Sequence, residues 1–144
     1  MPYEISAMAL SSDLWRLYVA SPEKRFIYVL AIYPDGSLHD MYAHGHLHIK
    51  DDFSFPGANG VCVDSSDRVY AATELGIQTF SVRGHNNTIL PLPGNPALKN
   101  IAFGTDDPGV LYVRTVDDLI FKRHVNTRGR ADDGKIYPPD TPPF

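Results

Sequence analysis

Three histidines at alternate positions are the first candidates for chemistry in this sequence: His44, His46 and His48. Alternate residues of a β-strand project from the same face, so the spacing predicts three imidazoles on one surface of an outer strand. Imidazole nitrogens bind zinc, copper and nickel. The pattern therefore allows a surface metal chelate, and a solvated strand face without a ligand is the alternative.

Carboxylates and the single cysteine offer fewer possibilities. Asp64 and Glu74 could form an acid–base pair, but both fall in turn sequences, where aspartate commonly caps backbone groups, and we expect structural roles for them. The lone Cys62 lies in an apolar run, which excludes a disulfide framework and a cysteine-based zinc site. No nucleophile elbow, phosphate-binding glycine loop or Cys/His dyad is present in the sequence.

The strands that would carry these side chains follow a pattern that occurs three times. Each copy has a short strand of small apolar residues, a Ser/Asp-rich turn, a strand centred on Tyr18, Tyr70 or Tyr112, and a third strand. The first two copies add a fourth extended stretch. Sets of four strands repeated every 40 to 50 residues or so are typical of propeller blades. The repeat predicts an all-β, β-propeller-type fold of about three four-stranded blades, and an ordinary β-sandwich is the alternative.

Three blades make only half of a six-bladed ring. We expect residues 1–129 to form a half-propeller, with blades at about 5–50, 57–94 and 98–126. A propeller closes with roughly four to eight blades, so the end blades of this chain would expose apolar flanks and strand edges. Closure then needs a second copy, in a C2 dimer, or a complementary half-propeller. The Pro-rich tail, residues 130–144, is expected to run extended over a blade edge.

Composition and charge exclude some classes of binding partner. The chain has 144 residues and a net charge of −4, with acidic and basic residues interspersed, which argues against a nucleic-acid partner. No segment reaches the length of a membrane span, so no membrane partner is expected. The N-terminus lacks the cationic start and apolar stretch of a secretory signal. We therefore expect a cytoplasmic protein if Met1 is the native start.

One segment resembles a known family. The stretches Pro56 to Asp64 (PGANGVCVD) and Arg68 to Gln78 (RVYAATELGIQ) are similar to a central motif of the SMP-30/gluconolactonase/LRE-like family of six-bladed propellers. The similarity continues through Leu92–Gly94, Asn100–Gly104 and Leu111–Val113, and ends in Phe121 to Gly129 (FKRHVNTRG). The resemblance covers nearly the whole chain, but it corresponds only to the C-terminal half of the family's usual length.

The resemblance implies a hydrolase with one divalent metal, commonly Ca²⁺, at the mouth of the central channel. Family members are lactone or ester hydrolases whose ligands are an early Glu, two Asn at inner-strand starts and an Asp in a "DG" motif. Hard cations of this kind take oxygen ligands, and the metal polarises the lactone carbonyl and activates a water.

This chain departs from that ligand set. Ser6 stands where the resemblance places the second Asn, and Asn59 stands where it places the Asp. The early Glu and the first Asn belong to blades that this chain lacks. Lys99 and Asn100, at the inner-strand start of the third blade, are further candidates for the channel mouth. A cation at Lys99 would repel a metal.

Three functions are compatible with these observations. The first is a non-catalytic or incomplete half-propeller that acts through assembly. The second is a Ca²⁺-dependent hydrolase of a small sugar lactone, whose site is completed on dimerisation or by a missing half. The third is a binding scaffold that uses the channel mouth or the histidine face without hydrolysis.

Overall fold

The fold consists of eleven β-strands, seen in a computed structural model that describes residues 4–49 and 57–129. No helix in these two ranges is long and apolar enough to cross a membrane. The predicted tail, residues 130–144, lies outside the described residues. The strands are β1 (Ala7–Leu10), β2 (Arg16–Ala20), β3 (Phe26–Ile32), β4 (Leu38–His46), β5 (Gly60–Val63), β6 (Val69–Thr73), β7 (Gly76–Phe80), β8 (Asn86–Leu90), β9 (Leu98–Phe103), β10 (Val110–Thr115) and β11 (Ile120–His124).

These strands form three antiparallel sheets in which neighbours along the chain are neighbours in the sheet. The sheets run β1 to β4, β5 to β8 and β9 to β11, and we call them blades 1, 2 and 3. The predicted all-β, propeller-type fold is confirmed. Within the described residues the third blade has three strands, which agrees with a repeat whose third copy lacks a fourth extended stretch. Short turns join the strands; Gly36 and Gly84 adopt positive φ angles there, which glycine tolerates without strain.

The pairing registers show that the three blades are equivalent residue by residue. The repeated tyrosine of each second strand pairs with a small residue of the first strand, namely Tyr18 with Ala9, Tyr70 with Cys62, and Tyr112 with Ala102. The same registers relate positions on the third strands, so that Ile27, Ile77 and Ile120 are equivalent. This equivalence allows one blade to serve as a reference for another.

The cores lie between blades. One face of blade 1, including Tyr18 and Ile27, packs against Val69 and Phe80 of blade 2. The opposite face of blade 2 packs in the same way against blade 3, through residues such as Tyr70, Ile77, Leu111 and Val113. The first strands β1, β5 and β9 are neighbours in space and form the inner wall of the arc. Small residues suit this wall, because a Cβ added to Gly60 would lie 2.9 Å from the Cα of Asn100.

Candidate functional site

The candidate site is the channel mouth, which we define as the residues at the N-terminal ends of the inner strands: Ser6, Asn59, Lys99 and Asn100. Ser6 and Asn59 occupy equivalent places, because the amide of each donates to a second-strand carbonyl at 2.9 Å, Ser6 to Ala20 and Asn59 to Ala72. The structure therefore brings the residues predicted for the metal site to the same end of adjacent blades.

Ser6 and Asn59 use their side chains to join one blade to the next. The hydroxyl of Ser6 donates to the carbonyl oxygen of Ala58 at 2.5 Å. The Nδ2 group of Asn59 donates to the carbonyl oxygen of Leu98 at 3.1 Å. The Oδ1 atom of Asn59 has no hydrogen-bond partner among the described residues. Both side chains thus have a structural function, and Asn59 Oδ1 is the one oxygen of the two that makes no hydrogen bond among the described residues.

The third blade contributes positive charge to the mouth. Lys99 Nζ lies 4.0 Å from Asp118 Oδ1, and the Arg114 guanidinium donates to the same oxygen at 2.7 Å. The hydrogen bond and charge of Arg114 hold the pKa of Asp118 below its usual range. Asn100 Oδ1 accepts from the backbone amide of Ile101 at 2.8 Å, so its carbonyl is also engaged.

These residues do not fit a calcium site. Calcium takes about six to eight oxygen ligands, usually with carboxylates among them. The mouth offers Asn59 Oδ1 and a single carboxylate, Asp118, which is already paired with the cationic Lys99 and Arg114. Among residues 4–49 and 57–129, no group of three His, Cys, Asp or Glu side chains is placed to hold a metal. We therefore derive no catalytic step through a metal.

Below the mouth, the inner wall is apolar. An open cleft of about 570 Å³ is lined by ten residues of β1, β2, β5 and β9, among them Met8, Val61, Cys62 and Ala102. Burial raises the pKa of the Cys62 thiol, so the thiol is protonated at neutral pH and is a poor nucleophile. Hydrocarbon surface of this kind can pack against a partner or an apolar ligand, but it offers no groups for hydrolysis.

The structure does not bring the three alternating histidines together. A β-bulge in β4 interrupts the alternation, because Tyr28 pairs with Ala43 and Ile27 with Gly45, which leaves His44 as the extra residue. The His44 ring turns inward, with its centroid 5.0 Å from that of Tyr18, and burial lowers its pKa. His46 stacks on the Phe26 ring at 4.8 Å, on the opposite side of the strand.

Asp64 is a buried structural carboxylate. It accepts hydrogen bonds from the amides of Ser66 (2.8 Å) and Arg68 (3.0 Å), from Arg68 Nε (2.7 Å), and from the hydroxyls of Tyr70 (3.0 Å) and Thr127 (3.0 Å). Burial by itself raises the pKa of Asp64, but the bonds from Arg68 and Ser66 outweigh burial and hold the pKa below its ordinary value. All its acceptor capacity is used, so we assign it no catalytic role.

Gln78 joins blades 1 and 2, a role that the sequence analysis missed. Its side chain is fully buried. Oε1 accepts from the His48 amide at 2.8 Å, and Nε2 donates to the His48 carbonyl at 2.7 Å. Nε2 also donates to Thr73 Oγ1 at 3.0 Å, and Oε1 also accepts from Asn86 Nδ2 at 2.9 Å. The only sequence signal was a glutamine within an apolar strand pattern, which suggests burial but not a partner.

Comparisons with known proteins show which folds this chain is similar to. No protein-family model matches the chain, and no curated protein matches it by sequence. Among solved structures, the chain is similar to a gluconolactonase from Xanthomonas campestris, with a TM-score of 0.71 and 22% identity over 85% of this chain and 38% of that one. It is also similar to a luciferin-regenerating enzyme, with a TM-score of 0.68 and 16% identity over 87% of this chain and 46% of that one.

These similarities concern the fold. The chain spans less than half the length of each of these two structures, and these neighbours have a propeller-type fold. The three blades therefore correspond to part of a propeller.

Proposed function

We propose that this chain is a half-propeller module that acts by assembling with a second three-blade unit, and that it carries no complete hydrolytic site of its own. The observation that carries the proposal is a difference in exposure between equivalent residues of the three blades. Support for the second part comes from the mouth, where the polar side chains are engaged in blade-to-blade hydrogen bonds and ion pairs.

The open face of blade 3 has the residue types of a buried blade face. Tyr18 and Tyr70 are 0% and 7% exposed because a next blade covers them, whereas the equivalent Tyr112 is 40% exposed. Ile27 and Ile77 are 0% and 4% exposed, whereas the equivalent Ile120 is 70% exposed. We call Ala102, Tyr112 and Ile120 the blade 3 flank. A soluble monomer rarely leaves such residues open to water without a partner surface.

Blade 1 also has an apolar face that no blade of this chain covers. Its far face carries Met8, Leu10, Leu17 and Leu30, which we call the blade 1 flank. Their equivalents in blade 2 receive blade 1 and are buried, as with Val61 at 6% and Phe80 at 0% exposed, whereas Met8 is 60% exposed. Both ends of the arc thus have the composition of a blade–blade contact.

The proposal is tested by placing a charge in the blade 3 flank. We expect Tyr112→Glu to weaken assembly about tenfold or more, because a buried carboxylate without a partner costs at least 1.4 kcal/mol or so. Light scattering over a concentration series measures the mass. Val82→Glu is the control, since Val82 is also exposed but lies in the turn between β7 and β8 of the middle blade. Equal masses for wild type and Tyr112→Glu at every concentration would refute the proposal.

A second candidate is metal-dependent lactone hydrolysis completed by a partner half. It is favoured by the free Oδ1 of Asn59 and by the fold shared with a gluconolactonase. Our main proposal predicts no gluconolactone hydrolysis above the uncatalysed rate, with calcium or with a chelator. Calcium-dependent turnover that is lost in Asn59→Ala and kept in the surface variant Ser65→Ala would support the second candidate instead.

A further inference from the structure

We infer that the unit completing the ring is a second copy of this chain, docked so that the blade 3 flank of each copy covers the blade 1 flank of the other. This inference rests on the proposed function and adds the identity of the partner and the register of the contact. The assembly is a closed, two-fold symmetric ring of six blades.

The internal repeat supplies the argument for a second copy. At both contacts within the chain, a face with a small residue, a tyrosine and an isoleucine packs against a face of aliphatic or aromatic residues. Ala102, Tyr112 and Ile120 reproduce the first kind of face, and Met8, Leu10, Leu17 and Leu30 reproduce the second. A contact between copies would therefore repeat the contacts from blade 1 to 2 and from blade 2 to 3.

The arc formed by one copy ends in the two flanks, so a second copy brings to each end the flank that matches it.

The inner strands fix the register. Gly60 of β5 lies against Asn100 of β9, so closely that an added Cβ would approach the Asn100 Cα to 2.9 Å. Ala7 and Asn100 are the residues of β1 and β9 equivalent to Gly60, by their pairing with Ala20 and Arg114 where Gly60 pairs with Ala72. Passing from blade 3 to the next copy, the repeat therefore places Asn100 beside Ala7 of the partner subunit, at a wider spacing than that of Gly60 because Asn100 has a Cβ. The same register turns Ala102 of the blade 3 flank toward Met8 of the partner subunit.

Two charged residues share the face of the blade 3 flank, because Lys122 pairs with Tyr112 and Arg114 pairs with Ile120. Lys122 is exposed on the outer strand β11, and Arg114 replaces Ala20 and Ala72 of the other blades. Its guanidinium already pairs with Asp118 at 2.7 Å, and both side chains lie at the mouth end of the sheet rather than over the centre of the flank. Paired charges at the rim are a normal part of protein interfaces, so Arg114 does not oppose the docking.

Cysteine cross-linking tests the register. In a Cys62→Ala background, the double variant Met8→Cys/Ala102→Cys is oxidised with oxidised glutathione and analysed on a non-reducing gel, because Met8 belongs to the blade 1 flank and Ala102 to the blade 3 flank. A disulfide requires Cα atoms about 4.4–6.8 Å apart, so we expect most of the chain to migrate as a covalent dimer. The controls are each single variant and Met8→Cys/Thr105→Cys, whose second cysteine lies beyond the far end of β9.

The possible outcomes separate this inference from the proposed function. A covalent dimer formed by the 8/102 pair alone supports the docking. If wild type is dimeric by light scattering but the 8/102 pair gives no cross-link, or all pairs cross-link equally, assembly stands and the register is wrong. If wild type is monomeric at all concentrations, the proposed function fails together with the inference.

Discussion

At the scale of single residues, the uncharged side chain of Gln78 connects blade 1 to blade 2. Its Oε1 atom accepts a hydrogen bond from the His48 amide at 2.8 Å, and its Nε2 group donates one to the His48 carbonyl at 2.7 Å. A buried amide that makes all its hydrogen bonds holds a chain segment in one position, because every alternative leaves a polar group unsatisfied. The segment after β4 is thereby fixed to β7 of the next blade.

We expect Gln78→Leu to lower the free energy of unfolding by about 2 kcal/mol, since it leaves the His48 amide and carbonyl without their partner. The matched control is His48→Ala, which removes an exposed imidazole but keeps the backbone groups that Gln78 binds, and which should change stability by less than about 0.5 kcal/mol. Urea unfolding measures both. Equal losses in the two variants would show that the imidazole, not the amide clasp, carries the stability.

The histidines show where residue patterns stop being informative. Sequence spacing correctly placed His44 and His46 in the outer strand of blade 1, whereas His48 lies just beyond the end of that strand, and the same-face arrangement requires an unbroken pleat. At the bulge, Gly45 lies against the ring of Phe80 in the next blade, 35 positions further along the chain. Local periodicity contains no information on such a contact.

At the scale of elements, the segment after β11 returns to the second blade. The Ser65 amide donates to the Arg128 carbonyl at 2.8 Å, and the Thr127 hydroxyl reaches Asp64 at 3.0 Å. Asp64 and Gly129 also form an antiparallel bridge. Asp64 therefore organises its own turn and ties the end of blade 3 to the inner strand of blade 2, a role for which the sequence indicated only a turn cap.

Replacing the Asp64 carboxylate should change how the free energy of unfolding depends on pH. We expect Asp64→Asn to lose about 2–3 kcal/mol at neutral pH, because hydrogen bonds to a charged acceptor are lost and the amide brings donors toward Arg68 and Tyr70. The folded pKa of Asp64 is lowered, so the stabilisation is complete above the unfolded pKa of about 4 and decreases as pH falls below it.

Urea unfolding of wild type and Asp64→Asn at a series of pH values measures the difference. The difference in unfolding free energy should be constant near neutral pH and narrow in acid. Asp13→Asn is the control, since that carboxylate is less buried and belongs to the equivalent turn of blade 1. A difference that does not change with pH would contradict the assignment of a charged Asp64 in the folded state.

At the scale of the whole molecule, the repeat made the architecture predictable. Three copies with Tyr18, Tyr70 and Tyr112 at matching places predicted three sheets of four strands, and within the described residues the third sheet has three. The mouth was less predictable. Sequence alignment put Ser6 and Asn59 there, but their hydrogen bonds to Ala58 and Leu98 arise only when neighbouring blades meet, and a sequence pattern does not contain that geometry.

The same repeat explains why an open arc is incomplete. Equivalent residues are buried in the middle of the chain and exposed at its ends, as Ile27, Ile77 and Ile120 show at 0%, 4% and 70%. Closure would remove these apolar side chains from water, and burial of apolar surface is the main favourable contribution to such an assembly.

The mass of the unmodified chain in solution tests this account most directly. Sedimentation equilibrium over a wide concentration range should give a species of twice the 16.0 kDa of one chain. A single, well-behaved species of 16.0 kDa at every concentration would contradict it, because the two flanks would then face water without a partner.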